Sequence, residues 1–307
     1  MKISTGYLYD RAVSQLTTGQ TDLAKSQAQL SAGKKVLTPS DAPDEATAIQ
    51  RIKSVIARQE SFEKAIDAAD NRLKAEEIAL DGVSNVLIRL KELAIQASND
   101  TYGPNDREAI ALEMQGLQED LLSFANTRDV NGAYLFSGAR VQTPAFAKDA
   151  QGEVVYQGDE SVNLLDVGDQ RQIRGNRTGT QVFERAVRVQ QDGTQKGVSF
   201  FQSVQDLVDA VKASDRNLMT RGIAELDSLG QGVALSLAQV GADMNVVDGQ
   251  RAVLDETKLQ LKTVLSKAED LDYTEAVTKM QKQMLALEAS QASFAQISRL
   301  SLFEYIR

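Results

Sequence analysis

Residues 226–268 read LDSLGQGVALSLAQVGADMNVVDGQRAVLDETKLQLKTVLSKA, and within them Leu226, Val233, Val240, Val247, Leu254, Leu261 and Ala268 occupy every seventh position without a miss. A seven-residue apolar recurrence keeps one narrow face of an α-helix apolar, which is the pattern of a seam packed against another helix. Gly222, Gly230, Gly232, Gly241 and Gly249 lie in or beside the same run. Each costs about 1 kcal/mol relative to Ala inside a helix. Close helix contact is therefore expected where they fall.

The seam needs a partner, and the N-terminal half supplies one. Ile66, Leu73, Leu80, Leu87 and Ala94 repeat at seven, with Ala69, Val83, Leu90 and Ala97 three residues later. This predicts one helix from near residue 42 to about residue 98, roughly 85 Å long at 1.5 Å per residue. Upstream, Tyr9, Leu16, Leu23, Leu30 and Leu37 also repeat at seven, with Val13 three before Leu16. Gly33-Lys34-Lys35 ends that first helix; Thr38-Pro39-Ser40-Asp41-Ala42-Pro43 then supplies a break, a cap at Ser40 or Asp41 and a proline in the next first turn. After a turn over 99–104, Asn105 and Glu108 form a capping-box-like start to a helix with Ile110, Met114, Leu117, Leu121 and Phe124 on one face. At the other end Asp272 with Glu275 caps a last helix whose seam is Val277, Met280, Met284, Leu287, Gln291 and Phe294, running almost to Arg307.

Between residues 141 and 192 the helical period disappears, and short strand-like pieces such as 153–156 and 162–167 appear among glycines. The fold class is thus mainly α with a β-rich insert: a long antiparallel, coiled-coil-like rod built from both chain ends. The expected domains are 1–41 with 270–307, 42–140 with 193–269, and the insert 141–192, directed outward.

Composition narrows the function. The 307 residues contain no His and no Cys, which removes the common nucleophile–base pairs, thiolate chemistry and zinc sites. A chain without Cys also enters an oxidising exterior without misbridging. The formal charge of −9 argues against nucleic acid, which requires clustered Lys and Arg. No apolar run has signal-peptide or membrane-span length. The acid pairs Glu76/Glu77 and Glu119/Asp120 read as solubility charges on helix faces rather than catalytic carboxylates. Gly175-Asn176-Arg177-Thr178-Gly179 lacks the context of a phosphate loop and reads as a turn; Asp270 and Asp272 lack calcium-loop spacing and read as capping. No enzyme activity, cofactor or metal is expected.

Three segments carry a resemblance. Leu30-Ser31-Ala32-Gly33-Lys34-Lys35-Val36 with Ser40-Asp41-Ala42-Pro43, then Asn131-Gly132-Ala133-Tyr134-Leu135-Phe136-Ser137-Gly138, and Asp272-Tyr273-Thr274-Glu275-Ala276 with the helix through Phe294 are similar to the flagellin superfamily. The resemblance covers about 1–140 and 200–307. The YLFSG form, the opening Met1-Lys2-Ile3-Ser4-Thr5 and the modest insert lean towards its hook-associated protein 3 branch. One departure is Asp243, where the resemblance leads one to expect a basic residue nearby. The resemblance implies a secreted structural subunit of the bacterial flagellum at the hook–filament junction, reached by flagellar type III export. Its implied partners are copies of itself in a ring, hook-associated protein 1, flagellin and a cytoplasmic export chaperone. Leu16, Leu23, Leu30, Val277, Met280, Met284, Leu287 and Phe294 are the candidate self-assembly residues, and Gly33, Pro39, Asp41 and Pro43 the inter-domain linker.

Physics adds a mode of assembly. Burying a seam residue contributes roughly 1.5–3 kcal/mol, while ordering each backbone residue costs about 1–2 kcal/mol, and seam residues are a minority of the terminal segments. Both ends are therefore expected to fold fully only against neighbouring subunits. The alternatives are flagellin itself, or a soluble coiled-coil signalling hairpin, against which the insert argues.

Overall fold

The structure, a computed structural model, describes residues 5–189 and 194–305. Met1–Ser4 of the quoted opening and Ile306–Arg307 lie outside the described residues. Helix α1 spans Thr5–Ala32, α2 Pro43–Ala97 and α3 Pro104–Ala125; after the insert come α5 Phe200–Lys212, α6 Arg216–Glu269 and α7 Tyr273–Tyr305. The chain divides into two compact units, Met1–Arg58 with Glu256–Arg307, and Gln59–Asp255, so the division falls within α2 and α6.

In the Gln59–Asp255 unit the two seven-residue repeats meet. Ile66, Leu73, Leu80, Leu87 and Ala94 are all buried, as are Leu226, Val233, Val240, Val247 and Leu254, and they belong to one continuous core. Ion pairs from Arg251 Nη2 to Asp67 Oδ1 (2.8 Å) and from Lys91 to Asp227 set the helices antiparallel. Helix α3 folds back along α2. Arg107 Nε donates to the Ala97 carbonyl, Arg89 pairs with Glu113, and the Phe124 ring lies over Gly82. The start of α3 differs from expectation. Pro104 is its first residue and Asp106, not Glu108, caps it, accepting the Gly103 N–H at 2.9 Å. The proline fixes the first helical φ, which moves the start ahead of Asn105.

The insert is built of three separate antiparallel hairpins: β1 Phe146–Lys148 with β2 Val154–Tyr156, β3 Leu164–Gly168 with β4 Arg171–Arg174, and β5 Ala186–Val189 with β6 Gln195–Val198. A short helix, α4 Gly179–Val182, separates the last two. Strand structure extends past residue 192, because Val198 closes the last hairpin against Ala186. Two-stranded hairpins are marginal alone. Two of these rest on a cluster of aromatic rings, Phe136, Phe146, Phe183, Phe200 and Phe201, with neighbouring centroids 5.0–5.8 Å apart.

The glycines of α6 divide. A Cβ on Gly222 would meet Leu207 Cδ1 at 2.7 Å, as close packing requires, but Gly230, Gly241 and Gly249 face open space. Helix contact therefore explains the first and not the other three. On α2, a Cβ on Gly82 would meet the Phe124 ring at 2.5 Å. Gly82→Ala should destabilise the chain by about 1–3 kcal/mol through overpacking. Gly241→Ala should stabilise it by roughly 0.5–1 kcal/mol. Urea midpoints of the two variants, read against the parent, give opposite signs if the contacts are as described.

Candidate assembly surface on the terminal helices

In the unit formed by Met1–Arg58 and Glu256–Arg307, α1 and α7 pair antiparallel. The inward positions of α1 are Ala12, Leu16, Gly19, Leu23, Ser26 and Leu30, so two seven-residue lines interleave. One is the predicted Leu16, Leu23, Leu30. The other, Ala12, Gly19, Ser26 and Gly33, is small throughout and takes the place expected for Val13, which is exposed. Opposite lie large residues at the same spacing, Tyr273, Met280, Leu287 and Phe294. Leu287 Cδ1 is 3.4 Å from where a Gly19 Cβ would be, and Tyr273 Oη is 2.8 Å from that of Gly33. Ser26 Oγ donates to Gln283 Oε1 at 2.7 Å, and the Tyr9 and Phe294 rings lie 5.1 Å apart. Large side chains of each helix thus meet small ones of the other, which lets the helices approach closely.

The predicted seam of α7 splits accordingly. Met280, Leu287 and Phe294 turn inward, whereas Val277 and Met284 are 38% and 41% exposed. Tyr7 and Leu285 are more exposed still, at 64% and 69%. A groove of about 360 Å³ runs beside Gly19 and Leu287, lined also by Gln15, Thr18, Gln283 and Ala286. Even the inward leucines Leu16, Leu23 and Leu30 are only half-buried.

The linker between α1 and α2 is tied to the turn between α6 and α7. Gly33 takes φ +67°, the left-handed conformation of a helix end. Beyond it the Lys35 N–H donates to the Glu269 carbonyl (2.8 Å) and the Leu271 N–H to the Gly33 carbonyl (3.1 Å). Lys34 and Lys53 both reach Glu269 Oε1, at 2.7 and 2.9 Å. Asp41 does not cap α2. It pairs with Lys25 at 2.7 Å and accepts the Thr38 N–H at 3.1 Å, folding the linker back on α1. Pro43 is the first residue of α2 and Pro39 lies in the exposed linker. The Asp272 carboxylate caps α7, accepting the Thr274 and Glu275 N–H groups.

A second polar cluster lies in the Gln59–Asp255 unit. Glu76 occupies the α2 position three after Leu73, where its seam-mates are Ala69, Val83, Leu90 and Ala97. It is 1% exposed, not solvated. Arg177 Nη1 donates to its Oε2 (2.6 Å), Arg72 Nε to its Oε1 (3.3 Å), and Arg177 also pairs with Asp243. Burial pushes the Glu76 carboxyl up against the pull of both guanidiniums. The turn at 175–179 therefore carries a buried arginine that its glycines concealed. The one sequence signal was the charged residue at an apolar heptad position. Glu77, Glu119 and Asp120 are exposed, as expected. Among the described residues no acidic or His/Cys group has metal-site geometry, and no helix is long and apolar enough to cross a membrane.

Residues 3–140 match the bacterial flagellin N-terminal helical region, and residues 223–306 the bacterial flagellin C-terminal helical region. The chain belongs to the flagellin family. This is a family of structural flagellar proteins, and both matched regions contain the terminal helices just described. Among curated flagellin-family relatives, the flagellar hook-associated protein 3 of Escherichia coli (strain K12) is 27% identical over 317 residues, covering 99% of each chain. That of Salmonella typhimurium (strain LT2) is 26% identical over 320 residues, covering 100% of each. The flagellar junction protein FlgL from Legionella pneumophila shares the fold, with a TM-score of 0.61 at 20% identity, over 73% of this chain and 99% of that one.

The linker contacts have a pH signature. Lys34 and then Lys53 hold the Glu269 carboxyl below the usual 4.5, and Lys25 holds Asp41 down to about 2. Carboxyls depressed on folding stabilise fully above their unfolded values and lose that contribution as pH falls through the folded ones. Hydrogen-exchange protection of the Lys35 and Leu271 amides, corrected for intrinsic rates, should therefore hold above pH 5 and fall towards pH 2. Glu269→Gln should lower it at neutral pH and flatten the dependence.

Proposed function

We propose that this chain is the structural subunit at the junction between hook-associated protein 1 and the flagellin filament, assembling by folding its terminal helices against its neighbours. The observation that carries the reading is the likeness, over the full length of both chains, to proteins named flagellar hook-associated protein 3. The α1–α7 pair supports the mode of assembly. Its inward leucines are half-buried, and Tyr7, Met284 and Leu285 present apolar surface that has no partner within the pair. A neighbouring subunit would bury that surface and complete the folding of both ends.

On this reading the partners are further copies of the chain in a ring, hook-associated protein 1, flagellin, and an export chaperone that holds α7 in the cytoplasm. The protein acts outside the cell, after type III export, and no catalytic step is assigned to it. Segments 1–41 and 270–307 form the innermost domain, 42–140 and the helical part of 193–269 the next, and the insert that begins at 141 projects outward. Leu16, Leu23, Leu30, Met280, Leu287 and Phe294 hold the terminal pair together, while Val277 and Met284 meet neighbours. Gly33, Pro39, Asp41 and Pro43 form the linker between the two helical domains.

Cells lacking the gene should make hooks without filaments and release flagellin into the medium, as seen by electron microscopy and by assay of the supernatant. Normal filaments would exclude the junction role, and absent filaments with no released flagellin would favour a filament subunit. The assembly mode has its own check. Limited proteolysis of the isolated monomer should remove residues within 1–40 and 273–307 before any cut within 59–255, and early protection of both termini would contradict coupled folding.

A further inference from the structure

The repeats of α2 and α6 are nearly uniform. In the antiparallel register set by Arg251–Asp67 and Lys91–Asp227, Leu73 lies level with Val247, Leu80 with Val240 and Leu87 with Val233. A slip of seven residues, about 10 Å along the axis, would exchange a valine for another valine or for a leucine at each of these levels. Apolar burial is non-directional and scales with area, so this seam discriminates poorly between the two alignments. The exposed ion pairs add little, since the attraction between solvated charges is largely offset by their hydration and by the ordering of two long side chains.

One level of the α2 line is different. At Glu76 the apolar line is broken by a buried carboxylate, bridged by Arg177 of the insert to Asp243 of α6. Arg177 is itself only 5% exposed, and Arg72 supports the cluster by donating to Glu76 and to the Leu135 carbonyl at 2.5 Å. A slip of seven would bring Ser236 or Gln250 to the place of Asp243. Neither carries charge, and the buried guanidinium would lose one of its two carboxylates. Arg177 would keep Glu76 but lose Asp243, and taking one of two partners from a buried guanidinium costs more than any exchange of valines. A buried polar group at one heptad position is also an established way for paired helices to specify register at some cost in stability.

We propose that the Glu76–Arg177–Asp243 layer is a register lock: it selects one of the heptad-related alignments of α2 and α6 and seats the insert at that level. The layer makes the pairing unique while the apolar seam makes it stable. Replacing all three residues with apolar ones should therefore keep or raise stability while releasing the alignment.

The chain has no cysteine, so Ile95→Cys with Leu235→Cys, two exposed positions on α2 and α6, takes spin labels nowhere else. Pulsed electron resonance on the full chain should give one distance population. In the Glu76→Leu, Arg177→Met, Asp243→Leu background a second population should appear, displaced by a slip of about 10 Å along the axis, with the urea midpoint unchanged or raised. A single population at the parental distance would overturn the lock. If the triple variant does not fold, the same labels in Glu76→Gln with Asp243→Asn decide it, a second population supporting the lock and a single parental one refuting it.

Discussion

Everything in this chain depends on pairing between segments far apart in sequence. Each heptad line is too narrow to bury itself, so each must find another helix running the opposite way. The partner of the first helix is the last, and the partner of α2 is α6. Short loops join only α2 to α3 and α5 to α6 among the packed neighbours. The α3–α5 packing closes a loop of 74 residues, 126–199, and the α2–α6 and α1–α7 pairings close loops of more than a hundred, whose entropy must be overcome before the contacts form. A hairpin such as α2–α3 can form locally. The terminal pair cannot, and it is also the pair with the shallowest burial.

The heptads made most of the helical architecture legible. Every apolar position predicted for the α2–α6 seam between residues 66 and 254 is buried, because a seven-residue period leaves only one face to hide. The break at Gly33 to Pro43 was equally plain, since a left-handed helix end and a proline at the first helical position have strong residue preferences. Strand content in the insert was visible as short apolar alternations, but its division into three separate hairpins was not. Two of the hairpins rest on a ring cluster, and its Phe136, Phe146, Phe183 and Phe200 come from four different segments that no local pattern joins.

Two features escaped the periodic reading for the same reason. A search for apolar residues at seven passes over Ala12, Gly19, Ser26 and Gly33, which are small rather than apolar, and over Glu76, which is charged. Both sit at inward positions. The small line works by what it lacks, space that Leu287 and Tyr273 fill from across the pair. Glu76 is tolerated only because Arg177 and Arg72 arrive from elsewhere in the chain, and no local pattern announces a partner about a hundred residues away. A signal existed nonetheless: an acid where the line otherwise reads Ala, Val, Leu and Ala should be read as a buried charge awaiting a cation.

The contrast between the two pairings bears on how a subunit can be both stable and assembly-competent. The α2–α6 seam buries its residues almost fully and adds a charged layer that fixes its alignment. The α1–α7 pair matches large against small, so its two helices fit closely but bury little area per residue, and Leu16, Leu23 and Leu30 stay half-exposed. Hydrophobic stabilisation follows the area removed from water, so a close fit with little burial gives a pair whose geometry is specified but whose free energy is small. Such a pair already has the right shape when a neighbour arrives, yet is not held so firmly that the chain must be unfolded against a large barrier beforehand. A bulkier α1 seam would gain monomer stability by moving apart the surfaces that, on the proposed function, the next subunit must read. On the proposed function, the small residues at 12, 19, 26 and 33 are thus where folding of one chain gives way to folding of the assembly.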